Sequence, residues 1–140
     1  MKKVHLHISV QDLAQSVAFY SKLFNQAPTL LKDDYAKWSL DNPALNFAIS
    51  NKNATLGLDH WGIELEDANH IAQLTQAYTA ENLAFTEQTQ TSCCYAESNK
   101  LWLEDPQGVR CEVFYTLKSA PSAVMQTSCT PSKTTGKSCC

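Results

Sequence analysis

The sequence predicts an α+β fold in which one strand–helix–strands unit is used twice, and three observations carry this reading. Alternating apolar and polar residues at the start give way to apolar residues at three- and four-residue steps, the same order begins again near Leu58, and apolar periodicity ends by Lys118. The length of 140 residues suits one domain with a real hydrophobic core.

Val4, Leu6, Ile8 and Val10 alternate with His5, His7 and Ser9, the pattern of a strand with one face on a core. Asp12 is a candidate N-cap, and Leu13, Val17, Tyr20 and Phe24 recur at helical steps until Pro28 bars continuation. Two strands are expected over Tyr35–Leu40 and Leu45–Ser50, separated by Asp41-Asn42-Pro43. In the second unit Leu58, His60, Gly62 and Glu64 alternate with Asp59, Trp61, Ile63 and Leu65. A helix with Ile71, Leu74 and Tyr78 on one face follows within Ala68–Leu83. Strands over Phe85–Thr91, Lys100–Glu104 and Val109–Tyr115 complete it, with Asp105-Pro106-Gln107-Gly108 as a tight turn. Residues 1–117 therefore read as one domain, with modules over about 1–53 and 54–117, and residues 118–140 as a flexible Ser/Thr/Cys tail.

The net charge of −3 and a pI near 5.7 offer no basic field for nucleic acid or an anionic membrane surface. No apolar run suits a signal or a membrane span, so the expected location is cytoplasmic and the six cysteines are expected to be reduced. Cys93 and Cys94 are adjacent, as are Cys139 and Cys140, while Cys111 and Cys129 stand alone. Neighbouring α-carbons about 3.8 Å apart are too close for ordinary disulfide geometry, and adjacent thiols better suit a soft ion or metalloid.

Strand parity places His5 opposite Leu6, Ile8 and Val10. It places His60 opposite Trp61, Ile63 and Leu65, and Glu112 opposite Cys111, Val113 and Tyr115. All three polar groups can thus face one interior. Two imidazoles and a carboxylate form a facial triad, the ligand set expected for iron(II) that meets dioxygen; nickel, cobalt, manganese or zinc can occupy the same ligands. Taken singly, each also reads as an isolated strand residue. His7 shares the His5 face and is expected to be a solvated or hydrogen-bonded cavity histidine. His70 reads as a surface residue, and Cys111 as a small apolar residue behind Glu112.

His5 with Asp12-Leu13 and Phe19-Tyr20 after it, His60-Trp61-Gly62-Ile63 opening the repeat, and Asp105-Pro106-Gln107-Gly108 before Glu112 resemble the vicinal-oxygen-chelate superfamily of glyoxalases, bleomycin-resistance proteins and extradiol dioxygenases. The resemblance covers residues 4–115 and implies tandem βαβββ modules forming a half-open β-barrel around a metal, with His5, His60 and Glu112 as its ligands. Many lactoylglutathione lyases of that superfamily carry a fourth ligand, a glutamate, on the last strand of the first module. The stretch from Asn42 to Lys52 has no Asp or Glu, which argues for a site with more than one free position.

A narrower resemblance rests on Phe19-Tyr20-Ser21-Lys22-Leu23-Phe24, Tyr35-Ala36, Cys93-Cys94-Tyr95-Ala96, Lys100-Leu101-Trp102 and the terminal double cysteine. Together these resemble the dioxygen-dependent carbon–arsenic lyases and their cadmium-induced relatives. The resemblance implies that Cys93 and Cys94 bind trivalent organoarsenic while iron(II) on His5, His60 and Glu112 activates dioxygen, releasing arsenite. Some relatives have glutamine at the position of His5, which bears on metal preference. Both thiols can converge only if the backbone there is irregular, and one buried with one exposed is the competing arrangement. Lys100 reads equally as a surface charge at a strand end. Competing functions are a thiol protein that sequesters cadmium or arsenite, and a glyoxalase- or extradiol-dioxygenase-type metalloenzyme with incidental cysteines. Either a monomer or a homodimer is compatible with both modules lying in one chain.

Overall fold

A computed structural model describes residues 2–93 and 95–119. Its first strand, β1 (Lys3–Ser9), has the alternation expected of it: His5, His7 and Ser9 are buried on one face, while Leu6 and Ile8 pack into an apolar cluster on the other. Helix α1 (Leu13–Leu23) starts at Asp12, whose carboxylate accepts the Gln15 N–H at 2.9 Å. It ends where Asn25 takes a left-handed φ of 49°. Leu13, Val17, Tyr20 and Phe24 lie against Trp38, Phe47 and Ile49 of the strands beneath.

Three strands complete the module: β2 (Leu30–Lys32), β3 (Tyr35–Asp41) and β4 (Ala44–Ser50). The sequence patterns gave no sign of β2, a three-residue edge strand too short to show a period. The second module repeats the order as β5 (Gly57–Glu64), α2 (Ala68–Ala80), β6 (Thr86–Cys93), β7 (Ala96–Glu104) and β8 (Arg110–Ser119). Asp67 caps α2, and Ile71, Leu74 and Tyr78 pack with Leu65, Leu101 and Val113 in a second apolar cluster. The β6–β7 hairpin runs further than its sequence suggests, since β7 begins four residues before Lys100. Between β7 and β8, Asp105 Oδ1 accepts the N–H groups of Gln107 and Val109, each at 2.8 Å, and Gly108 supplies the required φ of 84°. No helix among the described residues is long and apolar enough to cross a membrane.

The eight strands form one mixed sheet in the order β2-β3-β4-β1-β5-β8-β7-β6. At its centre β1 and β5 run antiparallel, and each pairs in parallel with the last strand of its own module. Reading this order from either end gives the same arrangement, an edge hairpin, then a module's last strand, then its first. The registers define the pseudo-two-fold relation. His5 pairs with Gly62 and His7 with His60, so exchanging the modules maps His5 onto His60 and His7 onto Gly62. Because His7 pairs with Ala48 and Gly62 with Glu112, the same exchange maps Ala48 onto Glu112.

Gly62 is required by close approach. A Cβ built there would lie 1.8 Å from the Glu112 carbonyl oxygen, so any side chain forces β5 and β8 apart. Gly62→Ala is expected to lower unfolding free energy by about 2 kcal/mol or more, the cost of overpacking a well-filled site. Chemical denaturation tests this, and a midpoint matching wild type would show that the strands separate freely.

Candidate functional site

The concave face of the sheet is unusually polar for a buried surface: His5, His7, Asn46, His60, Lys100 and Glu112 are each under a tenth exposed. They line a cavity of about 520 Å³, measured out to its open mouth. Strand register explains the meeting. His5, Gly62 and Glu112 occupy one row across β1, β5 and β8, and His60 lies two residues before Gly62 on the same strand. His5 Nε2 lies 3.2 Å from His60 Nε2 and 3.5 Å from Glu112 Oε2, which is 3.4 Å from His60 Nε2.

The outer sides of these groups are already committed. His5 Nδ1 donates to the Asn46 carbonyl at 3.1 Å, and His60 Nδ1 to Asp59 Oδ2 at 2.5 Å. With each Nδ1 carrying the proton, each neutral ring presents an Nε2 lone pair to the other and to a carboxylate oxygen. Three lone pairs facing one another repel unless a cation lies between them. Metal–ligand bonds of about 2.1 Å set neighbouring donor atoms roughly 3.0–3.4 Å apart, which these separations match closely. The donor set therefore fits a divalent metal.

Burial pushes the His5 imidazole down to about 4 despite the pull of Glu112, which keeps it a neutral donor at pH 7. Burial also acts to lower His60, but hydrogen bonds to Asp59 and Glu112 and their charges outweigh it and hold its imidazole above the usual range. Burial alone would raise the Glu112 carboxyl; His60, Lys100 and His5 hold it at about 2. Lys100 Nζ contacts Glu112 Oε1 at 2.5 Å, so one carboxylate oxygen is anchored and the other faces the histidines.

Lys100 is thus a buried cavity residue, which corrects the surface reading. The alternation around fully buried Leu101 was the signal that could have placed it on the cavity face. Asp59 escaped parity altogether. Strict alternation puts it on the face opposite His60, but the β1–β5 register slips between His7 and Ile8, and the extra residue brings both Asp59 and His60 to the cavity side. Asp59 then bridges His60 and His7, at 3.3 Å from His7 Nδ1, and their hydrogen bonds hold its carboxyl far below the ordinary range. His7 is 2% exposed and its other nitrogen lies 3.0 Å from Ser50 Oγ, the hydrogen-bonded cavity histidine expected of it. His70 is partly buried beside Asp67, and Cys111 packs at the edge of the second apolar cluster.

Cys93 ends β6, with its backbone paired to Ala96 across the hairpin. Its side chain and the whole of Cys94 lie outside the described residues, as do Cys129, Cys139, Cys140 and the rest of the tail beyond Ser119. Tyr95, which follows Cys94 in the turn of this hairpin, has a left-handed φ of 65°. Its phenol donates to Asp34 Oδ1 at 2.7 Å, and its ring lies 6.1 Å from that of Tyr35, so the tip of this module-two hairpin reaches the first module.

No family model matches the chain. Among individual proteins, it is 38% identical over 120 residues to the trivalent organoarsenical cleaving enzyme of a Bacillus species, covering 83% of this chain and 74% of that protein. It is 34% identical to the probable trivalent organoarsenical cleaving enzyme of Bacillus subtilis, over the full length of both. Cadmium-induced protein CadI of Mycobacterium bovis is 35% identical, covering 84% of this chain and 78% of that one. In fold, the chain resembles an extradiol ring-cleaving dioxygenase from B. fuscum, with a TM-score of 0.63 at 15% identity, over 84% of this chain and 33% of that one. A Streptomyces coelicolor methylmalonyl-CoA epimerase aligns with a TM-score of 0.58 at 15% identity, over 81% of this chain and 96% of that one. These identities show that the chain belongs to the family of the trivalent organoarsenical cleaving enzymes and cadmium-induced protein CadI, with a fold shared by the extradiol dioxygenase and the epimerase.

Proposed function

We propose that this chain is an iron(II)- and dioxygen-dependent carbon–arsenic lyase that releases arsenite from trivalent organoarsenicals in the cytoplasm. The observation that carries the reading is the convergence of two histidine Nε2 atoms and one carboxylate oxygen at 3.2–3.5 Å in a chain whose relatives are named for cleaving such compounds. His5, His60 and Glu112 would hold the metal. Iron(II) bound there would supply the one-electron chemistry that lets dioxygen react with an organic substrate.

The remaining residues have separable tasks. Asn46 and Asp59 fix the histidine tautomers, and Lys100 ties down the second oxygen of Glu112, leaving a single oxygen for the metal. Ala48 occupies the position equivalent to Glu112 in the first module, so no fourth carboxylate fills the opposite side and the cavity stays open. In this reading the thiols of Cys93 and Cys94 replace two hydroxyls of an organoarsonous acid and release two waters. The resulting dithiolate holds the carbon–arsenic bond at the cavity, where orientation lowers the barrier.

Two outcomes are expected. Under nitrogen, wild-type protein should bind one iron(II), His60→Ala or Glu112→Ala should bind none, and Asp59→Asn should bind about 10- to 100-fold more weakly while keeping its fold. Stoichiometric iron on Glu112→Ala would refute the triad. For turnover, Cys93→Ser or Cys94→Ser should retain iron and lose arsenical binding, whereas His60→Ala should bind the arsenical and release no arsenite. Wild-type protein should cleave trivalent methylarsenical only after air is admitted. Arsenite formed at an undiminished rate under strict anaerobiosis, or by the double cysteine variant, would overturn the lyase reading. Tight cadmium binding with no turnover would favour a sequestering protein instead.

A further inference from the structure

The wall of the cavity opposite Glu112 carries polar groups that the metal centre does not use. On β3, Tyr35 and Lys37 lie two residues apart, and both line the cavity while Ala36 and Trp38 between and beyond them are fully buried in the apolar cluster. Lys37 Nζ makes no hydrogen bond or ion pair with any described residue. Tyr35 is 4% exposed, and its hydroxyl likewise has no hydrogen-bond partner among the described residues. On neighbouring β4, Asn46 gives its amide nitrogen to Glu64 at 2.9 Å, which fixes the orientation of the amide and leaves Oδ1 buried without a partner. The buried Asn46 carbonyl is costly to leave unmet, while the Lys37 ammonium and Tyr35 hydroxyl, without partners among the described residues, stand open to the cavity and are free to meet a ligand.

Register gives their placement relative to the metal ligands. Lys37, Ala48, His7 and His60 form one row across β3, β4, β1 and β5. Adjacent strands are about 4.8 Å apart, so Lys37 stands three strand spacings along the sheet from His60, and the small Ala48 lies in that row beside it. The second module presents a different surface at the equivalent positions, Trp102 in place of Lys37 and Glu112 in place of Ala48.

We propose that Tyr35, Lys37 and Asn46 form a subsite for the organic group of the substrate, and that Lys37 selects a group bearing an anionic substituent remote from arsenic. The proposal rests on the lyase reading, in which the carbon–arsenic bond is held on the His60–Glu112 side. An organic group extending from there over Ala48 reaches the Lys37 ammonium only if it is longer than methyl, as a ring is. A carboxylate or phenolate on that ring pairs with Lys37 and accepts from the Tyr35 hydroxyl. Burial keeps that hydroxyl protonated and a donor. Neutral groups leave the ammonium unpaired and are disfavoured.

The test compares phenylarsine oxide with its 4-carboxy derivative. Calorimetry on full-length protein without metal, under nitrogen, gives the ratio of their dissociation constants; arsenite release by the iron-loaded protein in air gives the ratio of kcat/KM. Wild type should favour the carboxylated compound by about tenfold or more, the size of one charge-assisted contact. Lys37→Met should abolish the preference, chiefly by losing affinity for the carboxylated compound, and Lys37→Arg should retain it. Lys37→Glu should disfavour the carboxylate. Equal affinities in wild type, or a preference unchanged in Lys37→Met, overturns the subsite even if both compounds are cleaved. A Lys37-dependent binding preference with no arsenite released would instead uphold the subsite and sink the lyase reading.

Discussion

The antiparallel pairing of β1 with β5 joins the two modules, and its register decides which side chains meet above the sheet. With His5 opposite Gly62 and His7 opposite His60, the two histidines contributed by equivalent positions lie diagonally across the seam instead of side by side. Their rings then converge with centroids 5.2 Å apart. A slip of one residue would turn His5 toward the apolar cluster and Leu6 toward the cavity, at the cost of both faces at once. Parallel pairing of β5 with β8 extends the row by one strand and delivers Glu112, and it does so only because Gly62 has no side chain to hold the strands apart.

A concave face built this way must satisfy its polar groups internally, since burying them unpaired costs more than the fold can spare. The partners are arranged outward from the centre. Asp59 serves His60 and His7, Ser50 takes the other nitrogen of His7, and Asn53 Nδ2 donates to Asp59 Oδ1 at 2.8 Å. Phe114 and Trp102 stand edge-on to His5 and His60 with centroids 5.2 and 5.1 Å away, fixing the ring planes by packing. Arg110 stacks 4.2 Å from the centroid of Trp102, so the wall behind His60 is itself braced. The inward-facing atoms of His5, His60 and Glu112 have no such protein partners besides one another, and this contrast marks where a ligand belongs.

Much of this was legible in the sequence because strand parity is a strong constraint. Alternation put His5, His60 and Glu112 on faces that can share an interior, and helical spacing with Asp12 located α1 and its buried stripe. Parity failed where the backbone breaks its own period. The bulge at Asp59 leaves no local mark in the sequence, since it arises from pairing with a strand fifty residues away. Lys100 failed for a different reason: an ammonium is cheap to bury only beside a carboxylate, and that carboxylate belongs to a strand whose register with β7 is a tertiary fact. Short β2 had too few residues to show a period at all.

The deeper lesson lies in how the two modules differ at equivalent positions. A two-fold repeat by itself would give a symmetric cavity with equivalent groups on both walls, and a symmetric cavity has no reason to orient a substrate. Here the second module contributes Glu112 and Lys100, a carboxylate neutralised by its own ammonium, while the first contributes Ala48 and Tyr35 at the corresponding places. One wall therefore pairs its charges internally and gathers the donor set that fits a cation. The other is lined by Ala48 and by Lys37, whose ammonium has no ion-pair partner among the described residues. The same backbone thus presents two chemically different walls, and substitution at a few strand positions, without any change of fold, is enough to make the difference.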